Sequence, residues 1–197
     1  MAYNIEGKKA FENEILFPEE IKELNKQKCI INGYSKSTFK YTFNDINQYF
    51  NNNNFSNITV TGATGITGFN NTDGGTASAK TITGNTFNNW TGGTSAITAM
   101  NFTYFSGTST LSSNTVTNIT GQAAITAITI GSAASGTLLT VASNTINNLT
   151  STGTGGAIIG LSCTNASTTV NINSNAINTL SSTGASSVTA LSIGGGA

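Results

Sequence analysis

Apolar positions along this chain fall in short clusters that recur at an even spacing, not in one continuous stripe. The recurring unit is Asn-x-Φ-x-Asn-Φ-Thr, where Φ is apolar. It occurs as Asn53-Asn-Phe-Ser-Asn-Ile-Thr59, Asn85-Thr-Phe-Asn-Asn-Trp-Thr91, Asn114-Thr-Val-Thr-Asn-Ile-Thr120 and Asn144-Thr-Ile-Asn-Asn-Leu-Thr150, and in relaxed form as Asn175-Ala-Ile-Asn-Thr-Leu-Ser181. The start-to-start spacings are 32, 29, 30 and 31 residues, a regularity that composition alone does not produce.

Two further apolar blocks share that period. One follows each marker: Gly65-Ile-Thr-Gly-Phe69, Ala96-Ile-Thr-Ala-Met100, Ala124-Ile-Thr-Ala-Ile128, Ala157-Ile-Ile-Gly-Leu161 and Ser187-Val-Thr-Ala-Leu191. The other places Phe50, Ile82, Leu111, Val141 and Ile172 three positions before each marker. Each period therefore holds three short β-prone pieces with Gly, Ser, Thr and Asn between them. Such pieces are too short to stand as a sheet, but stacking consecutive periods lets each strand pair in parallel with its equivalent one period on. The pattern predicts an all-β fold, a parallel β-helix solenoid with three strands and about 30 residues per coil.

Columns follow from that stacking. Phe55, Phe87, Val116, Ile146 and Ile177 form one interior row, and Ile58, Trp90, Ile119, Leu149 and Leu180 a second. Asn53, Asn85, Asn114, Asn144 and Asn175 form one asparagine column, and Asn57, Asn89, Asn118 and Asn148 another. An amide side chain both donates and accepts, so identical residues one coil apart can form a hydrogen-bonded ladder at a coil corner. Asn also tolerates the left-handed backbone of a tight corner.

The first 45 residues read differently. Seven of the eight Lys lie between Lys8 and Lys40, and seven of the eight acids between Glu6 and Asp45. Phe17 to Lys28 predicts one short helix, with Pro18 at its first position, Glu19 and Glu20 at its positive end and Lys26 and Lys28 at its negative end. Phe17, Ile21 and Leu24 share its apolar face, which is long enough to dock and too short to be stable alone. Asn32-Gly33 marks a turn, and Thr38 to Phe43 alternates as a half-buried strand does. The expected division is a docking or capping segment over 1–45 and solenoid repeats over 46–197. A helix that caps its own domain and a helix that binds a partner fit this face equally.

Composition removes several chemistries. The chain has no His and no Arg, and charged residues make up 8% of it, against roughly 25% in ordinary globular proteins. Thr, Asn and Ser number 34, 27 and 21 and take their place. There is no histidine base, no imidazole metal ligand and no guanidinium clamp. A single Lys after residue 40 argues against nucleic-acid binding, whose affinity rests on basic groups. No run approaches the roughly 20 apolar residues of a membrane helix. Met1 to Phe17 carries Glu6, Lys8, Lys9, Glu12 and Glu14, so it reads as no secretory signal. Cys29 and Cys163 sit in unlike contexts, and no disulfide is expected between them.

The spacing in Val141-Ala-Ser-Asn-Thr-Ile146 and Val170-Asn-Ile-Asn-Ser-Asn-Ala-Ile177 resembles the repeat of right-handed parallel β-helix proteins. These include phage tail spikes and fibres, pectate-lyase-like enzymes and bacterial surface proteins of the β-strand-repeat type. The fold hosts both enzymes and inert stalks, so the resemblance carries fold further than function. Enzymes of this type, as the resemblance implies, work through clustered carboxylates, calcium or a basic residue. In the coil region the sequence offers Asp73, which sits in an Asp-Gly turn, and Lys80, expected to be solvated. Cys163 is expected to be a small buried hydrophobe. The expectation is a protein that is not an enzyme, with no catalytic residue, no metal and no cofactor.

Thr59-Val-Thr61, Thr81-Ile-Thr83 and Thr115-Val-Thr117 could suggest an ice-binding array, but they fall at different offsets from the marker, and only Thr59, Thr91, Thr120, Thr150 and Ser181 line up. Trp90, Phe102, Tyr104 and Phe105 fit either a sugar-binding patch or a core. The last residues, Ile193 to Ala197, fall inside a strand block with no polar cap, so coils or a covering partner are expected beyond 197.

Together these features predict a structural virion protein: the anchor and proximal shaft of a phage tail fibre or tail spike. Residues 1–45 would hold other virion proteins, and a glycan receptor would be met by a later region. The resemblance implies a homo-oligomer, a trimer in related fibres, located in the virion after assembly in the host cytoplasm. The alternatives are a bacterial cell-surface adhesin or stalk, and the non-catalytic front part of a glycan-degrading β-helix protein.

Overall fold

The computed structural model describes residues 29–30, 48–72, 79–133, 136–184 and 186–194. The helix expected over Phe17 to Lys28, the strand over Thr38 to Phe43, the docking residues Phe17, Ile21 and Leu24, and Asp73 lie outside them.

The described chain winds as a parallel β-solenoid with three sheets. Strands are numbered along the chain. The first sheet holds β1 (Cys29–Ile30), β2 (Gln48–Asn51), β5 (Lys80–Thr83), β8 (Gly107–Ser112), β11 (Gly136–Ala142) and β14 (Thr169–Asn173) in that spatial order. The second holds β3 (Asn54–Thr59), β6 (Thr86–Thr91), β9 (Thr115–Gly121), β12 (Thr145–Ser151) and β15 (Ala176–Ser182). The third holds β4 (Ile66–Asn71), β7 (Ile97–Tyr104), β10 (Ile125–Ala133), β13 (Ile158–Cys163) and β16 (Val188–Ile193). Each coil visits the three sheets in turn, and each strand pairs in parallel with its equivalent one coil on.

The predicted rows are the observed registers. Phe55 pairs with Phe87, Phe87 with Val116, Val116 with Ile146 and Ile146 with Ile177. Ile58, Trp90, Ile119, Leu149 and Leu180 pair in the same strands, and Phe50, Ile82, Leu111, Val141 and Ile172 in the first sheet. Mid-stack members such as Val116, Ile119 and Ile146 are fully buried, whereas Phe55, Ile58, Ile177 and Leu180 at the two ends are partly so. One core runs from Phe50 to Cys163.

Two corner positions recur in left-handed backbone from coil to coil. One is the predicted second asparagine column: Asn57, Asn89, Asn118 and Asn148 have φ of 61°, 58°, 54° and 54°. The other is the residue before each first-column asparagine: Asn52, Gly84, Ser113, Ser143 and Ser174, with φ of 58°, 68°, 56°, 55° and 54°. That corner turns the chain from the first sheet into the second.

β1 is a strand that the sequence reading did not anticipate. It lies on the edge of β2, with Cys29 opposite Gln48 and Ile30 opposite Tyr49.

Candidate functional site

The most organised polar feature of the molecule is internal. Asn85, Asn114 and Asn144 are fully buried, and Asn53 is 7% exposed. Asn114 shows the pattern. Its backbone N–H and its Nδ2 both donate to Asn144 Oδ1, at 3.0 and 2.9 Å, and the second Nδ2 hydrogen reaches back to Ile82 O at 2.9 Å. Its Oδ1 in turn accepts from Asn85 N and Asn85 Nδ2, at 3.0 and 2.9 Å. The same exchange links Asn53 to Asn85 and Asn144 to Asn175. Every donor and acceptor of the amide is used, which is the condition for burying it without penalty.

The second column lies at the surface and is less regular. Asn89 Nδ2 donates to Asn57 Oδ1 at 2.6 Å, and Asn148 Nδ2 to Asn118 Oδ1 at 2.7 Å. The step between these pairs runs from Asn118 Nδ2 to Asn88 Oδ1 at 2.9 Å. Here the asparagines serve the left-handed backbone first and one another second.

Outward positions correct the expectation of a single aligned hydroxyl row. Thr59, Thr91, Thr120, Thr150 and Ser181 do align in the second sheet. However, Thr81 and Thr83 stack on Thr110 and Ser112 in the first sheet, and Thr67 stacks on Thr98 and Thr126 in the third. The three Thr-x-Thr strings are not equivalent: Thr59-Val-Thr61 begins at the end of β3, Thr81-Ile-Thr83 lies in β5 and Thr115-Val-Thr117 opens β9. Each has its true equivalents one coil away, where Ser or Asn often replaces Thr.

On the outer face of the third sheet, Thr67 and Asn70 border a shallow hollow. The hollow continues past Thr98, Asn101, Thr126, Thr129 and Ser162 as a groove of about 370 Å³. Asn101 Nδ2 donates to Asn70 Oδ1 across it at 2.7 Å. Its described lining is neutral, composed of hydroxyl, amide and the Ile159 side chain.

Lys80 is a second correction. It was expected in solvent and is fully buried, with Nζ 5.7 Å from the Tyr104 ring centre and 5.8 Å from that of Phe105. The cause is strand alternation: in β5, residues two apart share a face, so the inward Ile82 carries Lys80 inward with it.

Three of the four clustered aromatics are core, and Tyr104 is half-buried. Trp90, Phe102 and Phe105 are 1, 0 and 0% exposed. Trp90 Nε1 donates to Phe55 O at 2.6 Å, and Phe87 meets its ring edge-on at 5.7 Å. Cys163 is a buried free thiol, as expected, and burial holds its pKa above the ordinary thiol value despite a backbone hydrogen bond from Asn165. Among the described residues no group of three or more His, Cys, Asp or Glu side chains converges, and no helix is long and apolar enough to cross a membrane.

The ladder, the outward rows and the neutral groove are thus the features that the fold places in order. Comparison with family models, with curated proteins and with solved structures finds no match to this chain.

Proposed function

We propose that this chain is a structural shaft: the proximal part of a phage tail fibre or tail spike, joined to the particle by residues 1–45 and not itself an enzyme. The observation that carries the reading is the ladder from Asn53 to Asn175, in which chemically versatile side chains are used up in binding one coil to the next. A unit held this way is stiff along its axis and lengthens by repetition. Those are properties of a spacer that holds a receptor-binding region away from its anchor. The low charge fits the same role: the outward rows described above are built from hydroxyl and amide side chains.

Immunogold labelling with antibodies raised against residues 48–194 tests this reading on particles and cell envelopes from the source. Gold on projections of virus particles, lost when residues 1–45 are deleted, is the expected result. Gold on the cell envelope would replace the virion reading with that of a bacterial surface stalk. Cleavage of a polysaccharide by the purified chain would overturn the structural reading altogether.

A further inference from the structure

The groove on the outer face of the third sheet has a construction of its own. Between its walls two consecutive residues turn into the core where simple alternation would send one of them outward: Ala99 and Met100, Ala127 and Ile128, and Gly160 and Leu161 are buried. The first coil does the same, since a Cβ at Gly68 would run into Trp90, and Phe69 stacks on Phe50. Thr98 and Asn101, and their register partners Thr126 and Thr129, therefore stand three residues apart as two walls, with main chain as the floor between them. The walls run along the solenoid axis across β4, β7, β10 and β13, at about 4.8 Å per coil.

The hydroxyls of this groove are unspent. In the connections between strands, Thr94, Thr152, Thr164 and Thr183 donate to main-chain oxygens one coil back. Among the described residues, Thr67, Thr98, Thr126, Thr129 and Ser162 make no side-chain hydrogen bond within the protein, and Asn70 and Asn101 spend one bond on each other.

That chemistry narrows the ligand. The lining carries no ionisable side chain, so charge would hold neither a nucleic acid nor an acidic chain. It lacks the apolar walls that enclose a compact small molecule and the aromatic anchors of a protein interface. An extended peptide adds to a sheet edge, whereas this groove crosses the face of a sheet. The match is a ligand whose groups both donate and accept, as hydroxyls do, and whose units recur along one line.

We propose that the groove binds a neutral polysaccharide, laid along the solenoid axis with about one sugar per coil. The inference stands on this face of the coils and is independent of any virion role.

An array of neutral and acidic oligosaccharides, from disaccharides to octasaccharides, probed with the full chain, tests it. Neutral members should be retained, with affinity that rises up to about the tetrasaccharide and then levels, because the four strands β4, β7, β10 and β13 line the groove. Thr98→Val combined with Thr126→Val keeps the shape and removes two hydroxyls, and should weaken that binding about tenfold or more at an unchanged melting temperature. Thr98→Ser combined with Thr126→Ser keeps both hydroxyls and should bind as the original chain does. Thr120→Val, an outward change in the second sheet, should also leave binding intact. Retention of no neutral oligosaccharide, a preference for acidic ones, undiminished binding by the double valine variant, or an equal loss in Thr120→Val would overturn the proposal.

Discussion

Asn114 and Asn144 share a two-to-one hydrogen bond: the N–H and the Nδ2 of the first both converge on the Oδ1 of the second, at 3.0 and 2.9 Å. Because Asn144 passes the same pair of donors to Asn175, each amide is polarised by the ones before and after it. A column of this kind fixes register, since a coil that slips by one residue offers the wrong group to every bond in it.

Asn114→Leu removes the acceptor of two Asn85 donors and the donor to Ile82 O, all of them buried. At about 1–3 kcal/mol for each orphaned group, the loss should be about 3–5 kcal/mol, read by chemical denaturation. Asn114→Asp keeps the shape but buries a carboxylate and sets oxygen against the oxygens of Ile82 and Asn144. Its folded pKa should lie above the unfolded carboxylate value, so the destabilisation should be smallest at acid pH and grow as pH rises through the unfolded value of about 4. A denaturation series across pH measures this slope, which Asn114→Leu should not show.

Gly68 and Trp90 are a matched pair. A Cβ at Gly68 would lie 2.5 Å from Trp90 Cη2, 2.7 Å from Ala99 O and 2.8 Å from Phe87 Cε1. Gly68→Ala should therefore cost about 1–3 kcal/mol through overpacking. Trp90→Leu should cost about 3 kcal/mol or more alone, while the double variant should cost less than the sum, a coupling that a double-mutant cycle reads directly.

Ile146 and Leu149 are both fully buried in mid-stack. Either one changed to Asp places an unpaired charge in the core, and the described coils should lose cooperative unfolding and much of their β signal in circular dichroism. A variant that kept its melting temperature would move that column to the outside.

Cys163 has its pKa raised, first by burial and in spite of the Asn165 backbone hydrogen bond. The native state therefore favours the neutral thiol. That contribution is complete below the unfolded thiol pKa and is lost as pH rises through it, so stability should fall in mildly alkaline solution, and Cys163→Ala should flatten the fall. Native Cys163 should also react with a thiol reagent many times more slowly than the unfolded chain does.

The sequence made the columns legible because each inward position is sampled again in every coil. Ile146 and Leu149 are ambiguous alone and unambiguous as members of a row. The ladder could be read for the same reason. The corner residues Ser113, Ser143 and Ser174 carry little signal singly, although the residue before each ladder asparagine is Asn, Gly or Ser throughout. Serine is a weaker left-handed signal than asparagine, so this corner is less legible than the one at Asn57, Asn89, Asn118 and Asn148. At Lys80 the alternation of Lys80-Thr-Ile-Thr83 overrides the preference of its charge for water, and the long aliphatic stem of a lysine makes that inward placement feasible. The outward Thr rows are legible only when equivalent positions are aligned coil by coil, because the three Thr-x-Thr strings occupy different positions within their coils.

The central claim is that the coils stack in parallel and in register along one axis. Nitroxide pairs in a chain carrying Cys29→Ser and Cys163→Ala test it most directly. Labels at 115 and 145 sit on register partners, so their backbones should lie about 4.8 Å apart and their spectra should show strong dipolar broadening. Labels at 86 and 145, two coils apart through Thr115, should report about 10 Å between backbones. Weak coupling at the first pair, or a shorter separation at the second than at the first, would contradict the parallel stack and with it the shaft.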